Sequence, residues 1–294
     1  MKTIGINAHL SGEKELSMLT GTNINWIRID INWHMVESKK GYYNWDAVDR
    51  TVHAAKKLGL NIFATIAYAP KWANGGNDPR FPATDLSAWL NFVSVTVARY
   101  CDISYLGAWN EPDCDLFFVG SKESYVKNVL IPFAAAVKQH INTFVVAPDI
   151  AGSSEYLKYV LDAANDYIDV ISIHVYADTV CGVINDLEGF KFFWSEPPYK
   201  KVLKNYIGKK PIWITEIGWA TKGDAQNKTV SEDKQKDLYE RILKYVNKSS
   251  WIDGVFFYEL KDSSDPEIPA WGILRSDNSK KKVFEVFRKT KCKN

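Results

Sequence analysis

Residues 45–67 read WDAVDRTVHAAKKLGLNIFATIA, and this stretch joins a helical pattern to a strand pattern. Apolar residues recur on one helical face in its first part, at Trp45, Val48, Val52, Ala55 and Leu58. Gly59 then offers a helix C-cap, and the apolar run at 61–67 has the length and residue types of a buried strand. The stretch therefore predicts one helix–strand unit of an α/β fold.

The same unit recurs along the chain, with eight apolar runs that are rich in β-branched and aromatic residues. These runs are 3–7, 25–31, 61–67, 105–110, 144–149, 170–176, 211–217 and 254–260. Most are continuously hydrophobic, which is typical of parallel strands covered on both faces. Further helical spacing occurs at 85–99, 121–140, 154–165 and 231–247. Thr229 and Glu232 have the spacing of a capping box before the last of these helices.

Eight strands alternating with helices in 294 residues predict a (β/α)8 TIM barrel that forms a single domain over 1–294. A doubly wound sheet is the weaker interpretation, because it more often has five to seven strands and a glycine-rich first turn. We find no linker-like or low-complexity tract and no sequence repeat, so a second domain is not expected.

Charge and composition narrow the function classes. The net charge is only +2, and the basic residues are scattered apart from Lys280, Lys281 and Lys282, so neither a nucleic-acid nor a membrane partner is expected. The sequence contains no run of eighteen apolar residues, so a membrane span is not expected. The amino terminus lacks a signal-peptide pattern, which predicts a cytoplasmic protein unless a leader has been removed. We expect a monomer.

The four cysteines show no C-x-x-C pairing, which argues against a zinc site or a redox motif. Cys114 and Cys181 lie after the fourth and sixth predicted strands, on the same face of the barrel. A disulfide between them and two free thiols are both open, and the missing signal peptide favours free thiols.

Polar residues follow many of the predicted strands, where the active site of a barrel lies. Two glutamates stand out, since Glu111 follows the run YLGAWN and Glu216 follows PIWIT. Carboxylates facing each other across a cleft are what glycoside hydrolysis requires, one to protonate the leaving oxygen and one to attack or to activate water. A lone glutamate after a strand is usually a surface or helix-start residue, but two at matched strand ends favour catalysis.

The motifs WNEPD at 109–113 and ITEIGW at 214–219 resemble those of the clan A glycoside hydrolases. The stretch 28–73 is similar to the second and third barrel units of that clan, especially in families 39 and 5. The resemblance covers almost the whole chain. It implies a retaining (β/α)8 enzyme that hydrolyses a polysaccharide or oligosaccharide without a metal or organic cofactor.

The resemblance also implies roles for individual residues. Glu111 would be the general acid/base, Glu216 the nucleophile, and Asn110 a partner of the sugar 2-hydroxyl. Arg28 would place a positive charge beside Glu216, while burial and a second carboxylate would raise the pKa of Glu111. A retaining mechanism predicts carboxyl groups roughly 5 Å apart, against about 6.5–9.5 Å for an inverting one.

Other polar residues have both a functional and a structural interpretation. By resemblance, Tyr176 would hold the nucleophile with Arg28, and His174 would line the subsite where the bond breaks. Both could instead be core groups, since their alternation points them into the barrel interior. Arg28 could be an interior ion-pair partner. His9 could bind substrate or have a structural role, and the sequence favours neither.

Four tryptophans follow predicted strands on the same face, at Trp33, Trp72, Trp219 and Trp271. An indole ring can stack on a sugar or pack beneath a loop. We predict substrate binding for Trp72, Trp219 and Trp271, and packing for Trp33. The chain departs from the clan at strand eight, where Tyr258 and Glu259 stand in place of a common tryptophan. This departure predicts a different floor for the central subsite.

Two further function classes are weighed against hydrolysis. A carbohydrate-binding protein that has lost catalysis is disfavoured, because both glutamates and their supports are present. A phosphate-binding barrel enzyme would need a glycine-rich site after strands seven and eight, and the loops there offer none. Aromatic residues around an open mouth predict a polymer substrate that is cut internally.

Overall fold

The computed structural model describes residues 2–189, 196–223 and 229–288. Its eight strands are all parallel and close into one barrel in chain order. They are β1 Thr3–Asn7, β2 Trp26–Asn32, β3 Asn61–Ala67, β4 Tyr105–Ala108, β5 Phe144–Ile150, β6 Val170–His174, β7 Ile212–Ile217 and β8 Gly254–Phe257. Each predicted apolar run forms one of these strands, so the predicted (β/α)8 barrel is confirmed.

Helices connect the strands and cover the outside of the barrel. They are α1 Glu13–Ser17, α2 Trp33–Val36, α3 Asp46–Lys57, α4 Leu86–Arg99, α5 Lys122–Ser124, α6 Ile131–Val137, α7 Ser154–Ala164, α8 Val180–Glu188, α9 Tyr199–Leu203 and α10 Glu232–Lys248. A π-helical segment, Tyr125–Leu130, joins α5 to α6, and two 3-10 segments span Asn165–Tyr167 and Lys282–Phe287. No helix in the described ranges is long and apolar enough to cross a membrane.

Two details differ from the sequence prediction. The helix predicted at 121–140 is interrupted by the π-helical segment, just before Pro132. Proline lacks the N–H that the regular ladder would use, which explains why the hydrogen-bond pattern changes here. The predicted capping box before α10 is wrong, because the N-cap is Ser231, whose hydroxyl accepts from the backbone N–H of Lys234. Ser231 directly precedes the first helical residue, as an N-cap must.

The barrel interior is closed at its amino end by a layer of aromatic and β-branched side chains. These are Phe63, Val146, Val170, Trp213 and Phe256, with Trp26 and Tyr105 packed against them. Glycine at two strand positions makes room for this layer. A Cβ atom on Gly5 would lie 2.3 Å from the Phe256 ring, and one on Gly107 would lie 2.9 Å from Phe63. The rings therefore form a dry floor beneath the polar carboxyl end of the barrel.

Candidate active site

The carboxyl ends of the strands carry residues with an unusual backbone. His9, Tyr68, Trp109, Glu111 and Asp149 all have φ between 43° and 75°. Such left-handed conformations are costly for residues other than glycine, and they collect at functional sites. Glu111 is held in this conformation in part by its N–H, which donates to the Asp149 carbonyl at 3.1 Å. The backbone thus aims several side chains at the mouth of the barrel.

The two predicted glutamates face each other across this mouth. Glu111 and Glu216 are each only 7% exposed. One carboxylate oxygen from each, together with a ring nitrogen of His174, lies within 4.8 Å of the others. This spacing is near that of retaining glycosidases and well short of the gap that an inverting enzyme leaves for water.

Glu216 is held by two donors. The Arg28 guanidinium donates to its Oε1 atom, and the Tyr176 hydroxyl donates to Oε2 at 2.7 Å. Both contacts engage the charged form of the carboxylate, and the Arg28 contact is a charge-assisted hydrogen bond. The two donors therefore fix the orientation of the Glu216 carboxylate, and the positive charge of Arg28 lies beside it.

Arg28 is the centre of a larger buried network. It also donates to Asn110 Oδ1 at 2.7 Å and to Asp149 Oδ2 at 3.0 Å. Burial opposes the charge on Asp149, but Arg28, His174 and Thr215 together outweigh it and lower the pKa of this carboxyl. Asp149 thus supports both Arg28 and Glu111. Its sequence signal is its place as the last residue of the predicted run 144–149.

His174 contacts the other glutamate. Its Nδ1 atom lies 2.7 Å from Glu111 Oε1 and 3.6 Å from Glu216 Oε2. Burial lowers the pKa of His174, but the carboxylates of Glu216, Asp149 and Glu111 raise it to about 10. Burial raises the pKa of Glu111, and the Glu216 charge adds to this, while His174 opposes it. Near neutral pH, His174 is then an imidazolium that donates to one oxygen of Glu111.

The three ligand atoms of Glu111, His174 and Glu216 are close enough to contact one cation. His174 carries a proton under the same conditions, because its pKa is raised to about 10, and the pKa of Glu111 is raised as well. Cation binding would have to displace the His174 proton. The donor set is therefore better suited to acid/base chemistry than to a resident metal.

Three adjoining cavities among the described residues form the cleft. The central cavity, of about 160 Å³, is lined by Arg28, Tyr68, Asn110, Glu111 and Glu216. The β6–β7 cavity, of about 450 Å³, shares both glutamates and adds residues from the loops after β4, β6 and β7. The β1–β8 cavity, of about 550 Å³, lies on the other side, between the loops after β1 and β8. Tyr258 lines all three. A fourth cavity, of about 660 Å³, opens beside the β6–β7 cavity and shares Tyr176 with it.

The tryptophans divide between the cleft and the core. Trp271 is partly exposed and lines the β6–β7 cavity beside Tyr176, with ring centroids 5.5 Å apart. Trp219 lines the same cavity but is 3% exposed, with its Nε1 donating to the Ala177 carbonyl. A ring so covered cannot offer a full face to a sugar, so Trp271 is the better stacking platform.

The two earlier tryptophans lie in one aromatic cluster. Trp33 is fully buried, which confirms the packing role predicted for it. Trp72 packs edge-on against Trp33 and donates from Nε1 to the Glu37 carbonyl at 2.8 Å. These contacts give Trp72 a role in loop packing. It lines none of the three cavities.

His9 lies between the central and β1–β8 cavities. Its Nδ1 atom contacts Asp30 Oδ2, and its Nε2 atom lies 2.9 Å from Glu259 Oε2. Burial lowers the pKa of His9, but Asp30 and Glu259 raise it well above its usual range. His9 is thus held as a cation between two carboxyl groups, an arrangement that the sequence did not indicate.

Cys114 and Cys181 are both free thiols. No disulfide therefore joins them. Cys114 lines the β6–β7 cavity, three residues beyond Glu111.

Comparison with known proteins gives a family match over most of the chain. Residues 21–287 match the family model described as "Glycosyl hydrolase catalytic core". A family 39 glycoside hydrolase from the gut symbiont Bacteroides cellulosilyticus WH2 has a similar fold, with a TM-score of 0.75 at 23% identity. That likeness covers 96% of this chain and 62% of the other.

Two curated proteins match shorter stretches. "Beta-amylase 1, chloroplastic" of Arabidopsis thaliana is 26% identical over 117 residues, which are 40% of this chain and 19% of that protein. "Probable glucan endo-1,3-beta-glucosidase" of Emericella nidulans is 28% identical over 107 residues, 35% of this chain and 22% of that protein. The chain thus aligns with about a fifth of the length of each.

Proposed function

Because the chain belongs to the glycosyl hydrolase catalytic core family, we propose that it is a retaining β-glycosidase with Glu216 as nucleophile and Glu111 as acid/base. Its substrate is a polysaccharide or oligosaccharide, cut at O-glycosidic bonds. The observation that carries this proposal is the spacing of the two glutamates, whose oxygens lie within 4.8 Å. Their different surroundings support different roles, since Arg28 contacts Glu216 and His174 contacts Glu111.

In the first step, a Glu216 oxygen attacks the anomeric carbon and forms an ester bond to the sugar. The bond from that carbon to the leaving oxygen breaks, and the Glu111 proton passes to the leaving oxygen. Arg28 and Tyr176 keep the attacking carboxylate oriented before the reaction. Asn110 lines the central cavity and accepts from Arg28, which supports a role for Asn110 in contacting the reacting sugar.

In the second step, the ionised Glu111 removes a proton from water, and the water oxygen attacks the anomeric carbon. The ester bond breaks, Glu216 regains its charge, and Glu111 is protonated again. Glu216 carries no charge while it is esterified, so one cause of the raised Glu111 pKa is absent during this step. The loss of that charge favours the carboxylate form of Glu111 when a base is needed.

We expect activity to fall as pH rises through the pKa of Glu111, because the first step needs the protonated form. Burial raises that pKa, so the alkaline limb should lie above the range of an ordinary glutamate. The measurement is the pH profile of kcat/KM, in the wild type and in Glu111→Ala with an activated aryl glycoside. The alkaline limb of the profile should vanish in Glu111→Ala. An unchanged limb in that variant would show that a group other than Glu111 causes it.

We also expect internal cleavage of a polymer, because three adjoining cavities form an extended cleft. The similarity to a glucan endo-1,3-beta-glucosidase makes β-glucans the first polymers to test. Sizing of early products should show oligosaccharides of several lengths. Release of monosaccharide alone from chain ends would contradict this expectation.

The alternative is a carbohydrate-binding protein without catalysis. It predicts saturable binding of a sugar with no cleavage of any aryl β-glycoside. Measurable turnover that disappears in Glu216→Gln excludes it.

A further inference from the structure

Lys281 has a buried ammonium group that lies outside the catalytic network. Its side chain is only 2% exposed, and lysine is almost never buried so fully unless it is paired. The ammonium donates to Thr221 Oγ1 at 2.8 Å, to Asp262 Oδ1 at 2.9 Å and to the Ala270 carbonyl at 3.1 Å. Each of its three protons therefore has an acceptor, as a buried charge requires.

These acceptors lie in the two loops that border the β6–β7 cavity. Thr221 belongs to the loop after β7, whereas Asp262 and Ala270 belong to the loop after β8. The Thr221 N–H also donates to the Ala270 carbonyl at 2.9 Å, so the loops contact each other directly. Lys281 lies outside both loops, directly before the 3-10 segment Lys282–Phe287. One ammonium thus ties both loops to a third part of the chain.

The residue held between these contacts is Trp271, the tryptophan that offers a ring to the cleft. On its amino side, the Ala270 carbonyl accepts from Lys281 directly. On its carboxyl side, the Gly272 N–H donates to Asp262 Oδ1 at 2.7 Å, and this same oxygen accepts from Lys281. The two peptide groups that flank the Trp271 Cα atom are therefore fixed by one charge, one of them through Asp262.

The Trp271 ring lies against the strand end that carries the nucleophile. A Cβ atom on Gly218, two residues beyond Glu216, would lie 3.4 Å from this ring and 2.2 Å from the Tyr258 carbonyl oxygen. The rings of Tyr176 and Tyr258 meet it edge-on, with centroids 5.5 Å and 6.0 Å away. A shift of the Trp271 backbone would therefore change the angle between its ring and a sugar bound at Glu216.

Stability alone does not explain the buried pair of Lys281 and Asp262. Replacement of such a pair by apolar residues of similar size is often neutral or stabilising in other proteins. What the ammonium adds is direction, because hydrogen bonds to three fixed acceptors define an orientation that an apolar contact would leave free.

We propose that Lys281 is a positioning residue for Trp271 and so sets how tightly the substrate binds in the β6–β7 cavity. The inference rests on the proposed function and deepens it, because it names a residue outside the cleft that controls substrate affinity. Among the described residues, Lys281 lines none of the four cavities, so it acts through Trp271 alone.

The test is a double-mutant cycle of Lys281→Met and Trp271→Ala. The substrate is the nitrophenyl β-glycoside that the wild type cleaves fastest, among glucosides, xylosides, mannosides and galactosides. Each single variant should raise KM roughly three- to ten-fold with kcat unchanged, the scale of one aromatic contact. In the Trp271→Ala background, Lys281→Met should raise KM no further, because the ring through which it acts is gone.

Lys210→Met is the matched control. The Lys210 ammonium also donates to a backbone carbonyl, that of Asn165 at 2.6 Å, but it lies before β7 at the opposite end of the barrel. Its KM should equal that of the wild type. If Lys281→Met does not fold, its combination with Asp262→Asn removes both charges together and takes its place in the cycle.

A second measurement needs no turnover. In protein labelled with 5-fluorotryptophan, the ¹⁹F resonance that Trp271→Ala removes should shift in Lys281→Met and stay in place in Lys210→Met. An unmoved resonance, a wild-type KM in Lys281→Met, or a loss that persists undiminished without the Trp271 ring would overturn the positioning role. Absence of cleavage of every glycoside by the wild type contradicts the proposed function, while the resonance still decides whether Lys281 positions Trp271.

Discussion

Glu216→Gln abolishes turnover while the barrel stays folded. An amide cannot form the glycosyl ester, so the loss in kcat should be roughly 10⁴-fold or more, the scale seen when an essential nucleophile is removed. Glutamine keeps the size of the side chain and one acceptor oxygen for Arg28 or Tyr176. The fold should therefore survive, and thermal unfolding should show a cooperative transition like that of the wild type.

Glu37→Gln is the matched control for this variant. Glu37 is a buried glutamate outside the three cavities, where it accepts from the Trp33 indole and the Gly41 N–H. Its amide variant should keep most of the turnover, since no reacting atom is near. Retention of more than a few per cent of wild-type activity by Glu216→Gln would show that another group is the nucleophile.

Glu111→Ala slows the cleavage of substrates with poor leaving groups far more than the cleavage of activated aryl glycosides. Loss of general acid catalysis should cost about 10²–10⁴-fold where protonation of the leaving oxygen is needed, and much less where it is not. Added azide should restore turnover of the activated substrate. The variant opens space beside the His174 imidazolium, which attracts the anion to the face from which water normally attacks.

The stereochemistry of the azide product decides between mechanisms. Retention through Glu216 requires a β-glycosyl azide, formed by the second of two inversions. An α-glycosyl azide would contradict the assignment. The wild type is the control, because its Glu111 carboxylate occupies and repels the azide position, so azide should not accelerate it.

Much of the fold could be predicted because its signals are local. Most strands are continuous apolar runs, which is the pattern expected for strands buried on both faces. The interruption of the helix near Pro132 was missed because helical spacing continues across it. The cap at Ser231 was missed because the capping-box spacing favoured Thr229.

The site was predictable where a residue follows a strand within a specific motif, as Glu111 and Glu216 do. The contacts between strands were harder, because they join residues far apart in sequence. Asp149 supports Arg28 across 121 positions, and Glu259 contacts His9 across 250. Trp219 follows β7 in the sequence, and Trp271 follows β8. Only their different burial in the structure shows which of the two can offer a ring face to a sugar.

The left-handed residues around the barrel mouth have a consequence for evolution in this family. A residue with a Cβ atom costs about 1–2 kcal/mol in this conformation, and glycine would avoid that cost. The chain nevertheless keeps His9, Tyr68, Trp109, Glu111 and Asp149 at these positions. A descendant that no longer cleaves sugars has no reason to bear the strain and should drift toward glycine or asparagine there. Residues other than glycine or asparagine at these five positions in a relative would therefore indicate that catalysis is still under selection.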